Sequence, residues 1–159
     1  MSTHSVQLAA THSAIAGLLQ EPAPVRPTYL MCAPRLYEVN YVINPWMAGN
    51  IHASSRTRAM EQWQHLYKAA SRVADVVLIE PVPGSPDMVF TANAGLERDG
   101  TVVLSSFAHP ERQGEETHFR QWFRAAGYSV IDLARSTPFE GEGDALFAND
   151  GRRLWAGCG

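Results

Sequence analysis

Two stretches of this chain carry side chains that could act together on a small polar ligand. The first, residues 81–95, reads Pro-Val-Pro-Gly-Ser-Pro-Asp-Met-Val-Phe-Thr-Ala-Asn-Ala-Gly. Pro-Gly and Ser-Pro break regular structure just before Asp87. Beyond them, alternation predicts an extended segment with Asp87, Val89, Thr91 and Asn93 on one face and Met88, Phe90, Ala92 and Ala94 on the other. Such a face offers a carboxylate, a hydroxyl and an amide to a cavity, or to water if the strand is merely half-buried. Six extended residues span ~20 Å, so in a regular strand Asp87 and Asn93 cannot both reach one small group.

The second stretch, Phe139-Glu140-Gly141-Glu142-Gly143-Asp144, sets three carboxylates at alternate positions with glycines between. If extended, all three point one way and repel unless a cation lies among them. That cation could be a metal such as Ca²⁺ or Mg²⁺, or a guanidinium with its five N–H donors; the alternative is a solvated acidic loop. No EF-hand spacing is present, so a dedicated metal site is not expected. Arg112 has the planar fork that binds a carboxylate bidentately, although a lone Arg more often makes a surface ion pair. Asn44, before Pro45 and Trp46, reads as a turn residue. His109 before a proline and His118 on a helix receive no role. Cys32 lies in an apolar run and reads as a small buried hydrophobe, and Cys158 stands near the end of the sequence. Neither cysteine has zinc or disulfide spacing.

The elements that would position these groups are short. Residues 1–27 read as an extension, with a helix over 9–19 ended by Pro22, Pro24 and Pro27. Residues 29–33 and 36–43 read as strands, followed by a helix from a Ser54 or Ser55 cap to about Ala74. Its buried stripe is Met60, Trp63, Tyr67, Ala70 and Ala74. A strand over 76–79 precedes the first chemical stretch. Arg98-Asp99-Gly100-Thr101 signals a hairpin into 102–104. A polar loop with His109, Arg112 and Glu115 then leads to a helix over about 116–126. Phe119, Trp122, Phe123 and Ala126 form its stripe, with Gly127 as its C-cap. A strand over 128–133 follows, and 145–147 pairs with 153–156 across Asn149-Asp150-Gly151. The order predicts an α/β fold with a mixed sheet, in which a strand–strand–helix–strand block appears about twice.

The 159 residues fit one domain. A net charge of −3, with 45% hydrophobic and 18% charged residues, gives no electrostatic footprint for nucleic acid or an anionic membrane. No apolar run approaches the ~20 residues of a membrane helix. No Lys or Arg precedes Arg26, so the basic region of a secretory signal is absent, and the expected compartment is the cytoplasm.

Five motifs occur in order: Asn44-Pro45-Trp46-Met47, Pro86-Asp87-Met88-Val89-Phe90-Thr91-Ala92-Asn93-Ala94-Gly95, Arg112-Gln113-Gly114-Glu115-Glu116, the 139–144 stretch, and Leu154-Trp155-Ala156-Gly157. Together they resemble the N-terminal half of the guanidino-group-modifying enzymes. That superfamily includes arginine deiminases, dimethylarginine dimethylaminohydrolases, amidinotransferases and arginine dihydrolases. The wording is most similar to the arginine dihydrolase type and covers about residues 28–159. The resemblance implies a pentein, an α/β propeller of repeated modules around a substrate channel, present here as its N-terminal modules in a single domain over 28–159. It also implies attack of a cysteine thiolate on the guanidinium carbon of arginine or an N-methylated arginine, giving a covalent amidino-type intermediate with loss of an amine or ammonia. A histidine then activates water, or the group passes to another amine.

On that resemblance, Glu140 matches the catalytic acidic residue and Asp144 the acidic end of the same run, although Glu142 intervenes where the family usually has Gly-Gly. Asp87 and Asn93 match polar substrate contacts, Phe90 a residue beside the guanidinium, and Arg112 the arginine that holds the substrate carboxylate. Asn44 goes with Asn93 in dihydrolase-type members, whereas deiminases usually carry Asp at the latter. The span argument assigns Asp87 to the α-amino end and Asn93 to the guanidinium end. An uncharged Asn holds a cationic guanidinium less tightly than Asp, which would let a citrulline-like species go on to ornithine. The family's nucleophilic Cys and catalytic His belong to its C-terminal half, so these 159 residues alone are expected to be inactive. The implied partner is a small guanidino substrate, with no cofactor, metal, nucleic acid or membrane; a homo-oligomer is left open. The competing reading is a non-catalytic guanidino-binding or subunit-interaction protein.

Overall fold

Parallel pairing of two short strands organises the first part of the structure. The computed structural model describes residues 26–148 and 151–157. The helix expected over 9–19, the Asn149-Asp150 turn and Cys158 lie outside the described residues. β1 (Thr28–Cys32) runs parallel to β2 (Asp75–Ile79), with Thr28 opposite Asp75 and Cys32 opposite Ile79. α1 (Arg56–Ala70) makes the crossover that parallel strands require. It starts where the sequence places it, because the Ser55 hydroxyl accepts the Arg58 N–H at 3.3 Å. The helix ends at Ala70 rather than near Ala74, and of its expected stripe only Ala74, beyond that end, is fully buried; no residue of α1 itself is. Trp63 and Tyr67 stack on each other at 5.3 Å instead of entering a core.

The strand expected over 36–43 does not form. A 3-10 turn covers Pro34–Leu36, and the chain then runs irregularly to Ser55. Turn bonds such as Met47 N–H to the Asn44 carbonyl at 3.2 Å, and His52 N–H to the Val39 carbonyl at 2.8 Å, take some of its backbone groups in place of a sheet ladder.

β3 (Gly95–Arg98) and β4 (Thr101–Leu104) form the expected hairpin. Asp99 and Gly100 both have positive φ, 50° and 77°, the twist a two-residue hairpin loop demands. β5 (Ser129–Ile131) joins β4 in parallel, so this small sheet is mixed. α2 (Pro110–Ala125) crosses between them and begins six residues earlier than expected. Pro110 sits in its first turn, where a fixed φ suits the helix and the missing N–H is not needed. Arg112 and Glu115 are therefore helical rather than in a loop. Gly127 closes the helix at φ 91°, with Tyr128 N–H to the Phe123 carbonyl and Gly127 N–H to that of Arg124. β6 (Ala145–Phe147) and β7 (Leu154–Ala156) pair antiparallel.

The fold is α/β, but among the described residues its strands form three small sheets rather than one mixed sheet. Phe119 and Phe123 of α2 pack with Cys32, Ile79, Met88, Ala94, Val102 and Leu104 into one core. No helix among the described residues is long and apolar enough to cross a membrane.

Candidate active site

The 86–94 stretch is not extended. Two 3-10 turns, Pro86–Val89 and Thr91–Ala94, replace the expected strand. Phe90 N–H donates to the Asp87 carbonyl at 3.0 Å and Asn93 N–H to that of Phe90 at 2.9 Å. Residues three apart eclipse in such a turn, so Asp87, Phe90 and Asn93 share one side. The alternating pattern placed Phe90 opposite the other two, and the structure corrects this. It also removes the 20 Å separation between Asp87 and Asn93, since a 3-10 run rises only about 2 Å per residue. Met88, fully buried, and the Thr91 hydroxyl, donating to the Leu30 carbonyl at 2.6 Å, anchor the turns to the core and to β1.

The 139–144 stretch is likewise not extended, so its three carboxylates diverge. Backbone bonds between Ser106 and Phe139 in both directions bring it beside β4. Gly141–Gly143 then turns in a 3-10 conformation. Gly141 has φ 59°, and a Cβ there would lie 2.7 Å from the Ala92 carbonyl oxygen, so only glycine lets the two stretches touch. Glu140 faces a cleft. Asp144 turns back to accept the Glu140 N–H at 2.7 Å. Glu142 leaves for the opposite side, where burial and then Glu97 raise its carboxyl above the ordinary range.

A cleft of about 610 Å³ is lined by Asn44, Asp87, Phe90, Asn93, His109, Arg112 and Glu140, together with Tyr37, Trp46 and other residues of the irregular 37–54 segment. Six of the seven residues singled out in the sequence thus meet at one cavity. Asp144 is not among the lining residues; its carboxylate holds the turn that presents Glu140. Asn44 is both a wall residue and a turn residue, its Oδ1 accepting the Met47 N–H at 3.1 Å. Phe90 is half exposed to the cleft, with the Tyr37 ring edge-on at 6.0 Å. His109, given no role from sequence, lines the wall as the residue before α2, whereas His118 does not reach it.

Arg112 ties the site together although it is only 4% exposed. Its Nε and Nη2 donate to the two oxygens of Glu115 at 3.2 and 2.9 Å. Nη2 also reaches the Asp87 carbonyl at 3.5 Å, and Nη1 donates to Asn93 Oδ1 at 3.2 Å. The Asp87 and Glu140 carboxylates lie 4.0 and 3.8 Å away, and the guanidinium stacks on the Phe107 ring at 4.1 Å. Of the cations considered for the acidic stretch, the one found beside Glu140 is therefore the chain's own guanidinium. The surface ion pair that a lone Arg usually makes is excluded by this burial. Asn93 is used at both ends, because its Nδ2 donates to the Glu140 carbonyl at 3.2 Å.

Two partners were not legible from spacing. The Tyr41 hydroxyl donates to Asp87 Oδ2 at 2.7 Å, and burial, then Asp87, push the phenol far above its usual range. Glu115 is fully buried, and desolvation raises its carboxyl against the pull of Arg112. An Arg and a Glu three apart would have signalled the pair had the helix been drawn from Pro110. Cys32, the last residue of β1, is buried away from the cleft, and burial pushes its thiol up to about 11, the wrong direction for a nucleophile.

No protein-family model matches the chain. It is 59% identical over 131 residues to the bifunctional arginine dihydrolase/ornithine cyclodeaminase AgrE of Nostoc sp., covering 82% of this chain and 19% of that protein. It is 38% identical over 132 residues to the N(G),N(G)-dimethylarginine dimethylaminohydrolase of Mycobacterium tuberculosis, covering 82% of this chain and 42% of that one. The substrate-bound crystal structure of the N-terminal domain of ArgZ, a cyanobacterial arginine dihydrolase, superposes with a TM-score of 0.81 at 57% identity, covering 83% of this chain and 49% of that one. The proteins it resembles are guanidino-group-modifying enzymes of the pentein superfamily, and the chain matches the N-terminal domain of ArgZ. It matches the N-terminal part of the arginine dihydrolase type more strongly than the dimethylaminohydrolase, and spans less than half the length of the curated relatives it matches.

Proposed function

We propose that this chain forms the guanidino-amino-acid-recognising part of an arginine-hydrolysing active site of the dihydrolase type. The observation that carries the reading is the meeting of Asp87, Asn93, Arg112 and Glu140 at one cleft. In it, Glu140 and Asn93 hold the guanidinium and Phe90 flanks it. Asp87 takes the α-amino group, Arg112 takes the carboxylate and Asn44 closes the wall. Asp144 acts through Glu140, by fixing its backbone. Ionised carboxylates strengthen hydrogen bonds to a cation, whereas the neutral Asn93 tolerates an uncharged citrulline-like group as well.

The thiolate that attacks the guanidinium carbon comes from outside the described residues, since Cys32 is buried and holds its proton. The 159 residues by themselves then bind without turnover. The architecture we propose is an incomplete propeller, with residues 28–159 as part of one catalytic domain and 1–27 outside it. Its support is a recurring unit. β3–β4–α2–β5 has a hairpin, a helix and a parallel strand; β1–α1–β2 repeats it without the outer hairpin strand; β6–β7 begins it again.

Calorimetric titration of the chain with L-arginine, using L-norleucine as a ligand without the guanidinium, tests this reading. Arginine is expected to bind and norleucine not to. Equal binding of both, or of neither, overturns it. Ammonia release at an enzymatic rate by the isolated chain would overturn the assignment of the nucleophile.

A further inference from the structure

The Arg112–Glu115 contact is the most deeply buried ion pair among the described residues, with side chains 5% and 0% exposed. The recognition scheme above leaves Glu115 without a task. Removing two charges from water costs several kcal/mol per ion unless geometry recovers it, and a lone arginine at the cleft wall could have remained hydrated. The geometry of the pair is specific. Glu115 takes the Nε and Nη2 edge of the guanidinium, and the Phe107 ring covers one face. Of the five N–H donors, one on Nη1 is left over once Asn93 Oδ1 and the Asp87 carbonyl have been served. That nitrogen is also the one nearest Glu140.

We infer that Glu115 is a positioning residue that turns Arg112 so that Nη1 alone faces the cleft, giving the ligand carboxylate one charge-assisted contact instead of a fork. The inference rests on the reading that a guanidino amino acid occupies the cleft with its carboxylate at Arg112. A single contact at Nη1 makes carboxylate recognition depend on the angle of the guanidinium, and Glu115 and Phe107 fix that angle. A purely structural Glu115 would instead matter equally to every ligand.

Two ligands separate these cases. L-Arginine and agmatine share the guanidinium, and agmatine lacks the carboxylate. In calorimetric titrations of the full chain, E115Q is expected to weaken L-arginine binding about tenfold, the scale of one hydrogen bond to a charged group. Agmatine binding should be unchanged. E115Q should add nothing to R112A, because the two act as one unit. Equal losses for both ligands, or additive losses in the double variant, overturn the inference. So does unchanged arginine binding by E115Q, which leaves the proposed function standing. A wild-type chain that binds neither ligand overturns both. Should E115Q fail to fold, ¹⁵N spectra of the wild-type Arg112 side chain decide: saturating L-arginine should shift the Nη1 signal and leave Nε in place. A displaced Nε overturns the inference.

Discussion

β1–α1–β2 and β4–α2–β5 have the same connection, a helix crossing between two parallel strands, yet they are covered in opposite ways. α1 has no fully buried residue, and Leu66 is 60% exposed. α2 buries Phe119 and Phe123, and with them Arg112, Glu115 and Glu116. Topology alone therefore does not decide which helix carries chemistry. The difference lies in what covers the first turn. The 3-10 turns of 86–94 and the 139–144 turn close over the start of α2 and desolvate its charges, and charges removed from water must find partners. Among the described residues no element buries a charge of α1, and its aromatics stack on each other.

The strongest way to break this comparison is to remove one charge from α2 and one apolar side chain from α1. Arg112→Ala leaves Glu115 buried without its cation and should destabilise by about 3–5 kcal/mol in chemical denaturation. Leu66→Ala, on the exposed side of α1, should change stability by no more than about 0.5 kcal/mol. Comparable losses in the two variants would mean that the two helices are equally built into the fold.

A smaller effect belongs to the first unit. Burial raises the Cys32 thiol from 9.0 to about 11, so between these values the native state keeps a proton that the unfolded chain gives up. Stability from this group is complete below pH 9 and falls as pH rises toward 11, by about 2–3 kcal/mol. Cys32→Ala should flatten that part of the stability–pH profile, and a profile identical to the wild type would refute the assignment.

The smallest expected effect concerns the helix starts. Ser55 caps α1 through its hydroxyl, whereas His109 makes no side-chain cap bond at α2. Ser55→Ala should cost about 1 kcal/mol, and His109→Ala should leave stability unchanged while altering the cleft wall. Thermal melts of the two variants sharpen the contrast; a larger loss at His109 would show that it supports the fold as well.

Local signals carried much of the fold. Asp99-Gly100, the Ser55 cap, the Gly127 stop and the apolar run of β2 each act within a few residues, so the sequence is sufficient to place them. The candidate site was legible as residue types: six of seven named side chains line one cleft. Their arrangement was not. Asp87, Thr91 and Asn93 fall at alternate positions, which suits a strand, yet Asp87, Phe90 and Asn93 recur every third residue, which suits a 3-10 turn. Periodicity cannot choose between the two. The choice was made by the burial of Met88 and by the Thr91 bond to β1, both of which involve distant residues.

The sequence by itself carried the resemblance to the guanidino-group-modifying enzymes, the α/β class, the turn and cap positions, and which carboxylates, amides and guanidinium are present. Tertiary structure alone decided that Glu140 and Asp144 part company, that Arg112 is held by Glu115, and that Tyr41 reaches Asp87. The physical reason is that dihedral preferences are local, whereas burial is not. A charged group takes its partner only when the folded chain has excluded the water that would otherwise have served.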